Sequence, residues 1–276
     1  MNPPALRESR SVCPYCGTGC GVLIEHDGER ILGVRGDPEH PANFGQLCSK
    51  GMTLAQTVHG SGRATVPLQR VAEETWQQAS WEQSMRQIAT RWAEVYRDRG
   101  PQALAFYVSG QLPTEDYYVV NKLAKGFLGT NHIDTNSRLC MASAVTGYKR
   151  SLGMDSVPCS YEDLERTDCL FIVGANVAYA HPIIFRRIEA AKAQRPELRI
   201  IVVDPRRTAT ASIADLFLPI LPGTDVALFH GILHLLIWND RLDTDFIQQH
   251  TEGWQELKQR VQEYTPQRVA ELCQIA

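Results

Sequence analysis

No stretch of this sequence is apolar enough to cross a membrane as a helix. The longest apolar run, around Ile232 to Trp238, is interrupted by His234 and falls far short of the roughly 20 residues a span needs. Excess charge is lacking too. With 28 Lys and Arg against 31 Asp and Glu, the net charge of -3 gives no whole-chain reason to bind nucleic acid or an anionic membrane. The amino-terminal stretch Met1 to Arg10 carries neither an apolar run nor an Arg-Arg pair, so a reducing cytoplasm is the expected location. The glycine-bearing loops form neither a Gly-x-Gly-x-x-Gly fingerprint nor a Walker loop, which removes ordinary NAD or ATP binding. A core is not lacking: 43% hydrophobic content in 276 residues excludes disorder and suits one large or two ordinary domains.

What stands out is sulfur. Cys13, Cys16, Cys20 and Cys48 follow the spacing C-x2-C-x3-C-x27-C. Structural zinc sites usually pair their ligands in two short knuckles, whereas three cysteines in one tight run plus a distant fourth suit an iron–sulfur cluster, which the spacing therefore favours over zinc. Gly17, Gly19 and Gly21 interleave the ligands and let the backbone turn closely around a cluster. A disulfide knot fits poorly, because the 228 residues after Cys48 hold only four more cysteines.

Along the chain, Gly21 to Val34 reads as two short strands about an Asp-Gly turn, and Gly36 to Asn43 as a loop returning toward Cys48. Residues 1–62 are thus expected to form a small antiparallel cluster domain. From residue 63 to 276 the pattern changes. A capping box at Ser80 and Gln83 opens a helix that stops at Gly100. Strands are expected over Ala103 to Val108, Cys169 to Val173, Arg199 to Val203 and Leu216 to Leu221. Helices are expected over Thr114 to Leu128, Pro182 to Gln194 and Asp225 to Trp238. The fold class is α/β, with doubly wound parallel sheets behind a small antiparallel β domain. In such sheets ligands sit at the carboxyl ends of strands. Four polar or glycine-bearing loops stand there: Ser109 to Gln111, Gly174 to Asn176, Asp204 to Thr208, and Pro222 to Asp225.

Cys140 lies just ahead of a small-residue helical segment, where a helix N-terminus suits an anionic sulfur. By residue type alone an inert buried cysteine is the commoner explanation for it, and Cys159, Cys169 and Cys273 are read that way. Taken together, the four-cysteine motif with Cys48-x-Lys50-Gly51, the run Asn136 to Ala144 around Cys140, Cys159 to Leu164, and Gly174 to Asn176 resemble the catalytic subunit of bacterial assimilatory nitrate reductases. These belong to the molybdopterin oxidoreductase superfamily.

The resemblance implies a [4Fe-4S] cluster on Cys13, Cys16, Cys20 and Cys48, with Lys50 between it and a pterin. It implies Cys140 as the protein thiolate on molybdenum held by bis(molybdopterin guanine dinucleotide). Further cofactor contacts would come from Gln111, Asn136, the stretch Val173, Gly174, Ala175, Asn176, Val177, Ala178, Tyr179 and Ala180, then Asp204, Pro205, Arg206, Arg207 and Thr208, and finally Gly223, Thr224 and Asp225. The implied reaction is oxygen-atom transfer from nitrate to give nitrite, with electrons arriving through the cluster from ferredoxin, flavodoxin or an NADH-linked flavoprotein. No nucleic-acid or membrane partner is implied. Arg187, Arg206 and Arg207 are expected to be solvated or phosphate-facing.

Met141 after Cys140 favours nitrate reductase over formate dehydrogenase, which resembles this plan but generally carries histidine there. A non-enzymatic iron–sulfur electron-transfer module is a further alternative. Family members extend several hundred residues further, so the chain looks like an N-terminal fragment, incomplete at its C-terminus and inactive alone.

Overall fold

The structure is a computed structural model that describes residues 6–275. Met1 to Ala5 of the amino-terminal stretch read above lie outside the described residues. The chain divides into two compact units, Met1–Met52 with Cys159–Ala276, and Thr53–Pro158.

The amino-terminal segment holds three antiparallel strands, β1 (Arg7–Val12), β2 (Gly21–His26) and β3 (Ile31–Gly36), in the order β1-β2-β3. The β2–β3 hairpin turns where expected, on the Asp27 carboxylate, which accepts the amides of Glu29 and Arg30 at 2.9 and 2.7 Å. Strand β1 was not legible in the pattern: all six residues are exposed, so they lack the apolar alternation that marks a strand. It is held by backbone pairing to β2, in register from Arg7 opposite His26 to Val12 opposite Gly21. The loop after β3 is pinned by the buried Asn43 side chain, which accepts from the Gly21 amide at 2.8 Å and donates to the Gly21 and Gln46 carbonyls at 3.1 and 2.9 Å. At Gly36 the backbone of Gly45 passes so close that a Cβ would stand 2.0 Å from its carbonyl oxygen. Gly36→Ala must displace main chain rather than a side chain. We expect it to lower unfolding stability by about 1–3 kcal/mol, as overpacking does, measured by urea denaturation.

In the unit Thr53–Pro158, a hairpin of β4 (Leu68–Ala72) and β5 (Thr75–Gln78) precedes α1 (Trp81–Arg99). The capping box forms as expected: Ser80 Oγ accepts the Gln83 amide and Gln83 Oε1 accepts the Ser80 amide, both at 3.1 Å. Strand β6 (Phe106–Val108) is shorter than expected, because Pro101–Ala103 close a tight helical turn first. Helix α2 (Thr114–Asn121) passes into a π-helical stretch, Lys122–Phe127, instead of continuing as one α-helix to Leu128. Strand β7 (Ile133–Thr135) then pairs parallel with β6, and helix α3 (Ala142–Leu152) follows.

In the other unit, α4 (Tyr161–Arg166), β8 (Cys169–Val173), α5 (Pro182–Gln194), β9 (Arg199–Val203), β10 (Leu216–Leu218), α6 (Asp225–Trp238) and, after two further helices, α7 (Pro266–Cys273) surround a parallel sheet of order β10-β9-β8. Strand β10 stops at Leu218 rather than Leu221 because Pro219 has no amide to continue the ladder. Successive residues of β9 face opposite sides. Ile200 and Val202 pack with Ile172 and with Ile188 and Ala191 of α5, while Val203 packs with Leu228 of α6 and Val269 of α7. Helices therefore cover both faces, and the loops after all three strands emerge on one edge.

Candidate functional site

Cys13 leaves β1 and Cys20 enters β2, and the Cys13 amide donates to the Cys20 carbonyl at 2.9 Å, closing the loop between them. Inside that loop Gly17 and Gly19 take left-handed φ values of 69° and 73°, and a Cβ on either would meet nothing within 4 Å. That conformation favours glycine and leaves room beside the thiols. Cys20 is the deepest of the four, 6% exposed and packed with Val22, Leu47 and Ile183. Cys48 opens the turn Ser49–Met52, its carbonyl accepting the Met52 amide at 3.0 Å, and exposed Lys50 sits on that turn.

Burial pushes the Cys20 thiol up to about 11, and negative charge on Cys13, Cys16 and Cys48 adds to the shift. All three other cysteines thus lie near enough to oppose its ionisation, a cost that a bound cationic centre reverses.

Side chains from α4 and α5 reach the cysteine loops. Tyr161 Oη donates to the Thr18 carbonyl at 2.8 Å, and Arg186 donates to the Leu47 carbonyl at 3.2 Å. Burial, and after it negative charge on Cys20 and Cys16, raises the Tyr161 pKa, which keeps the hydroxyl a donor. Arg187 corrects the sequence expectation. It is buried at 8% exposure, neither solvated nor phosphate-facing, and binds Glu165 at 2.6 Å and the carbonyls of Pro41 and Ala42 at 2.7 and 3.2 Å. Its helical spacing did not reveal this, because the backbone oxygens it binds lie 145 residues or more away in sequence.

At the carboxyl edge of the parallel sheet, the loop Val173 to Ala180 lies against the loop after β9. The Gly174 amide donates to the Val203 carbonyl at 2.9 Å. Thr210 Oγ1 bridges the loops, accepting from the Ala178 amide and donating to Asn176 Oδ1, both at 3.1 Å. Asp204 caps its own loop by accepting the Arg206 amide at 2.8 Å, and Arg206 and Arg207 are exposed, Arg207 lying 5.2 Å from the Phe217 ring centre. Gly223 has φ 83°, and Asp225 opens α6. The side chains of Val173, Ala175 and Val177 pack into the cores, so that part of the stretch offers a ligand main-chain groups. Among the described residues the buried His181 Nδ1 and Thr208 Oγ1 have no hydrogen-bond partner. Two orphaned polar atoms beside glycine-bearing strand ends fit a polar cofactor. His181 and Thr210 were missed from sequence, His181 although it directly follows the expected stretch.

In the other unit, Gln111 follows β6 and Asn136 follows β7, so the two sit at the carboxyl edge of a parallel pair. Asn136 Oδ1 accepts the Gly110 amide at 2.6 Å, and its carbonyl accepts the Cys140 amide at 3.0 Å. Gln111, Asn136 and Cys140 are thereby brought to one loop cluster, with Cys140 exposed at the end of the turn Ser137–Cys140, just ahead of α3. Tyr117 supports the cluster by donating to the Ser109 carbonyl at 2.6 Å, another residue that sequence did not single out. Of the cysteines read as inert and buried, Cys273 is buried, but Cys159 and Cys169 are exposed. Cys159 stands in a connecting segment, and Cys169 opens β8 with its own side chain outside the core.

The profile of the molybdopterin oxidoreductase family matches residues 63–256, and that of the molybdopterin oxidoreductase Fe4S4 domain matches residues 6–60. The chain is 51% identical over 241 residues to a nitrate reductase of Klebsiella oxytoca, covering 87% of this chain and 27% of that protein. It is 44% identical over 283 residues to a nitrate reductase of Synechocystis sp., covering 100% of this chain and 40% of that protein. An F420-dependent formate dehydrogenase subunit alpha of Methanocaldococcus jannaschii is 38% identical over 264 residues, with 95% of this chain and 38% of that protein covered. Among solved structures, acetylene hydratase from Pelobacter acetylenicus superposes with a TM-score of 0.84 at 28% identity, over 97% of this chain and 37% of that one. The chain thus spans well under half the length of these relatives. It is an α/β chain and belongs to the molybdopterin oxidoreductase family.

Proposed function

We propose that the protein to which this chain belongs reduces nitrate to nitrite, and that residues 1–62 hold a [4Fe-4S] cluster on Cys13, Cys16, Cys20 and Cys48 while residues 63–276 bind molybdenum bis(molybdopterin guanine dinucleotide). The observation that carries the reading is the 51% identity with a nitrate reductase, joined to Met141 directly after Cys140. When bound, the molybdenum cofactor supplies two-electron oxygen-atom transfer, and the cluster passes electrons singly.

The residues of this chain would hold and orient those groups. Cys140 supplies the protein thiolate to the metal. Lys50 donates to the pterin and offsets anionic charge on cluster and cofactor. The main-chain groups of Val173 to Ala180 and the loop Asp204 to Thr208 receive the dinucleotides, with His181 Nδ1 and Thr208 Oγ1 available to them. Asp225 suits guanine, whose ring and exocyclic N–H groups a carboxylate accepts. Gln111 and Asn136 belong to the loop cluster that presents Cys140.

Assimilatory use of nitrate in the cytoplasm, fed by ferredoxin, flavodoxin or an NADH-linked flavoprotein, completes the reading. Formate oxidation is the second reading, favoured by the 38% identity with a formate dehydrogenase subunit. The protein purified from its host should oxidise a reduced viologen dye when nitrate is added. Dye reduction by formate with no response to nitrate would reverse the order of the two readings.

A further inference from the structure

We propose that Tyr161 and Arg186 are positioning residues for the iron–sulfur cluster: each holds the carbonyl of one cysteine loop, thereby sets the direction of the following amide N–H, and so tunes the cluster's reduction potential. The inference rests on the assignment of Cys13, Cys16, Cys20 and Cys48 as ligands given above.

Thr18 lies between Cys16 and Cys20, flanked by left-handed Gly17 and Gly19. Glycine after Thr18, and another before it, leave the Thr18–Gly19 peptide little local reason to keep one orientation. Tyr161, at the start of α4, selects one by donating to the Thr18 carbonyl at 2.8 Å. No peptide among the described residues is cis, and a trans peptide sets N–H opposite C=O. Drawing the Thr18 carbonyl to α4 turns the Gly19 amide the other way. Arg186 of α5 does the same at the second loop, where its bond of 3.2 Å to the Leu47 carbonyl fixes the amide of Cys48 itself.

Tyr161 is firmly set for this task. Asp163 Oδ2 accepts the Ser160 amide at 2.6 Å and fixes the first turn of α4. The Arg187 guanidinium lies 5.2 Å from the Tyr161 ring centre and is tied to Glu165 and to the Pro41 and Ala42 carbonyls. Four carbonyls of the amino-terminal segment, those of Thr18, Pro41, Ala42 and Leu47, are thus received by polar atoms of α4 and α5, where plain packing would need only apolar surface. Amide N–H groups directed at cluster sulfurs favour the reduced, more negative state and raise the potential. Loss of either anchor lets the amide turn away and lowers it.

The test uses the full 276-residue chain, reconstituted anaerobically with iron and sulfide and titrated by EPR-monitored reduction. Tyr161→Phe keeps the ring and its stacking on Arg187 and removes only the donor. It should bind as much iron and sulfide as the parent, with a lower midpoint potential and altered g values. Arg186→Ala should shift the potential the same way, and Arg186→Lys, which keeps a donor for the Leu47 carbonyl, should restore much of it. Outright cluster loss from Tyr161→Phe would instead mark a merely structural role and overturn the tuning inference. Parental potential and g values in both Tyr161→Phe and Arg186→Ala overturn it. A parent chain that takes up no cluster, or a Cys16→Ala chain that keeps a full one, instead overturns the ligand assignment and the inference with it.

Discussion

Reconstituted anaerobically, a Cys20→Ala chain is expected to retain almost none of the roughly four irons that the proposed set of four cysteine ligands would secure in the parent. Cys20 is the most deeply buried of the four, and its thiol carries the opposing charge of the other three. Alanine keeps the packing with Val22, Leu47 and Ile183 nearly intact but leaves three thiolates around an open corner. Ligand binding to a site that the unfolded chain lacks is also folding free energy, so the variant's amino-terminal segment should become protease-sensitive as it loses the cluster. Cys273→Ala is the control. Cys273 is fully buried, packs with Val203 and Leu228, and donates from Sγ to the Thr224 carbonyl at 3.6 Å. It should cost stability without changing iron content. Parental iron in Cys20→Ala, measured by colorimetric chelation alongside the absorbance of the cluster, would remove Cys20 from the ligand set.

The second large effect is on folding. Arg187→Ala should lower the stability of the unit that contains it by about 2–3 kcal/mol, at or below the bottom of the roughly 3–5 kcal/mol that breaking a fully buried pair costs. The side chain of Arg187 is only 7% exposed, whereas that of its partner Glu165 is 36% exposed and regains water when the pair is broken. Besides the ion pair, the variant abandons the Pro41 and Ala42 carbonyls and the stacking on Phe44 and Tyr161. Arg187→Lys should lie between, since a single ammonium cannot reproduce the planar fork that serves a carboxylate and two carbonyls together. Urea unfolding followed by circular dichroism measures the loss. A change below about 0.5 kcal/mol is the mark of an ordinary surface position and would return Arg187 to the solvated class.

Some of this was legible in the chain because the signal was local. The helices Pro182–Gln194 and Asp225–Trp238 and the strands Cys169–Val173 and Arg199–Val203 fall where periodicity and punctuation put them, since each carries its own apolar pattern and its own turn residues. Strand β1 and strand β7 were not legible. The first is wholly exposed, and the second, Ile133–Thr135, has too few residues to establish a period. Arg187 read as an ordinary charged helix residue for a related reason: burial by distant backbone leaves no trace in helical spacing.

Residue type and order were enough to raise the chemistry proposed for this chain. Cysteine spacing and the glycine-bearing strand ends are properties of residue type and order, and they point to a metal-sulfur protein of α/β class before any folding is considered, whereas Cys140 was singled out through the family resemblance. The bonds that support that chemistry emerge on folding alone. Asn136 reaches Gly110, Thr210 bridges two strand-end loops, and Tyr161 and Arg186 take the carbonyls of Thr18 and Leu47. Such bonds join residues from 26 to 143 positions apart. They pair a generic side chain with a backbone group or a neighbouring polar atom, and every residue has a backbone, so no motif announces them.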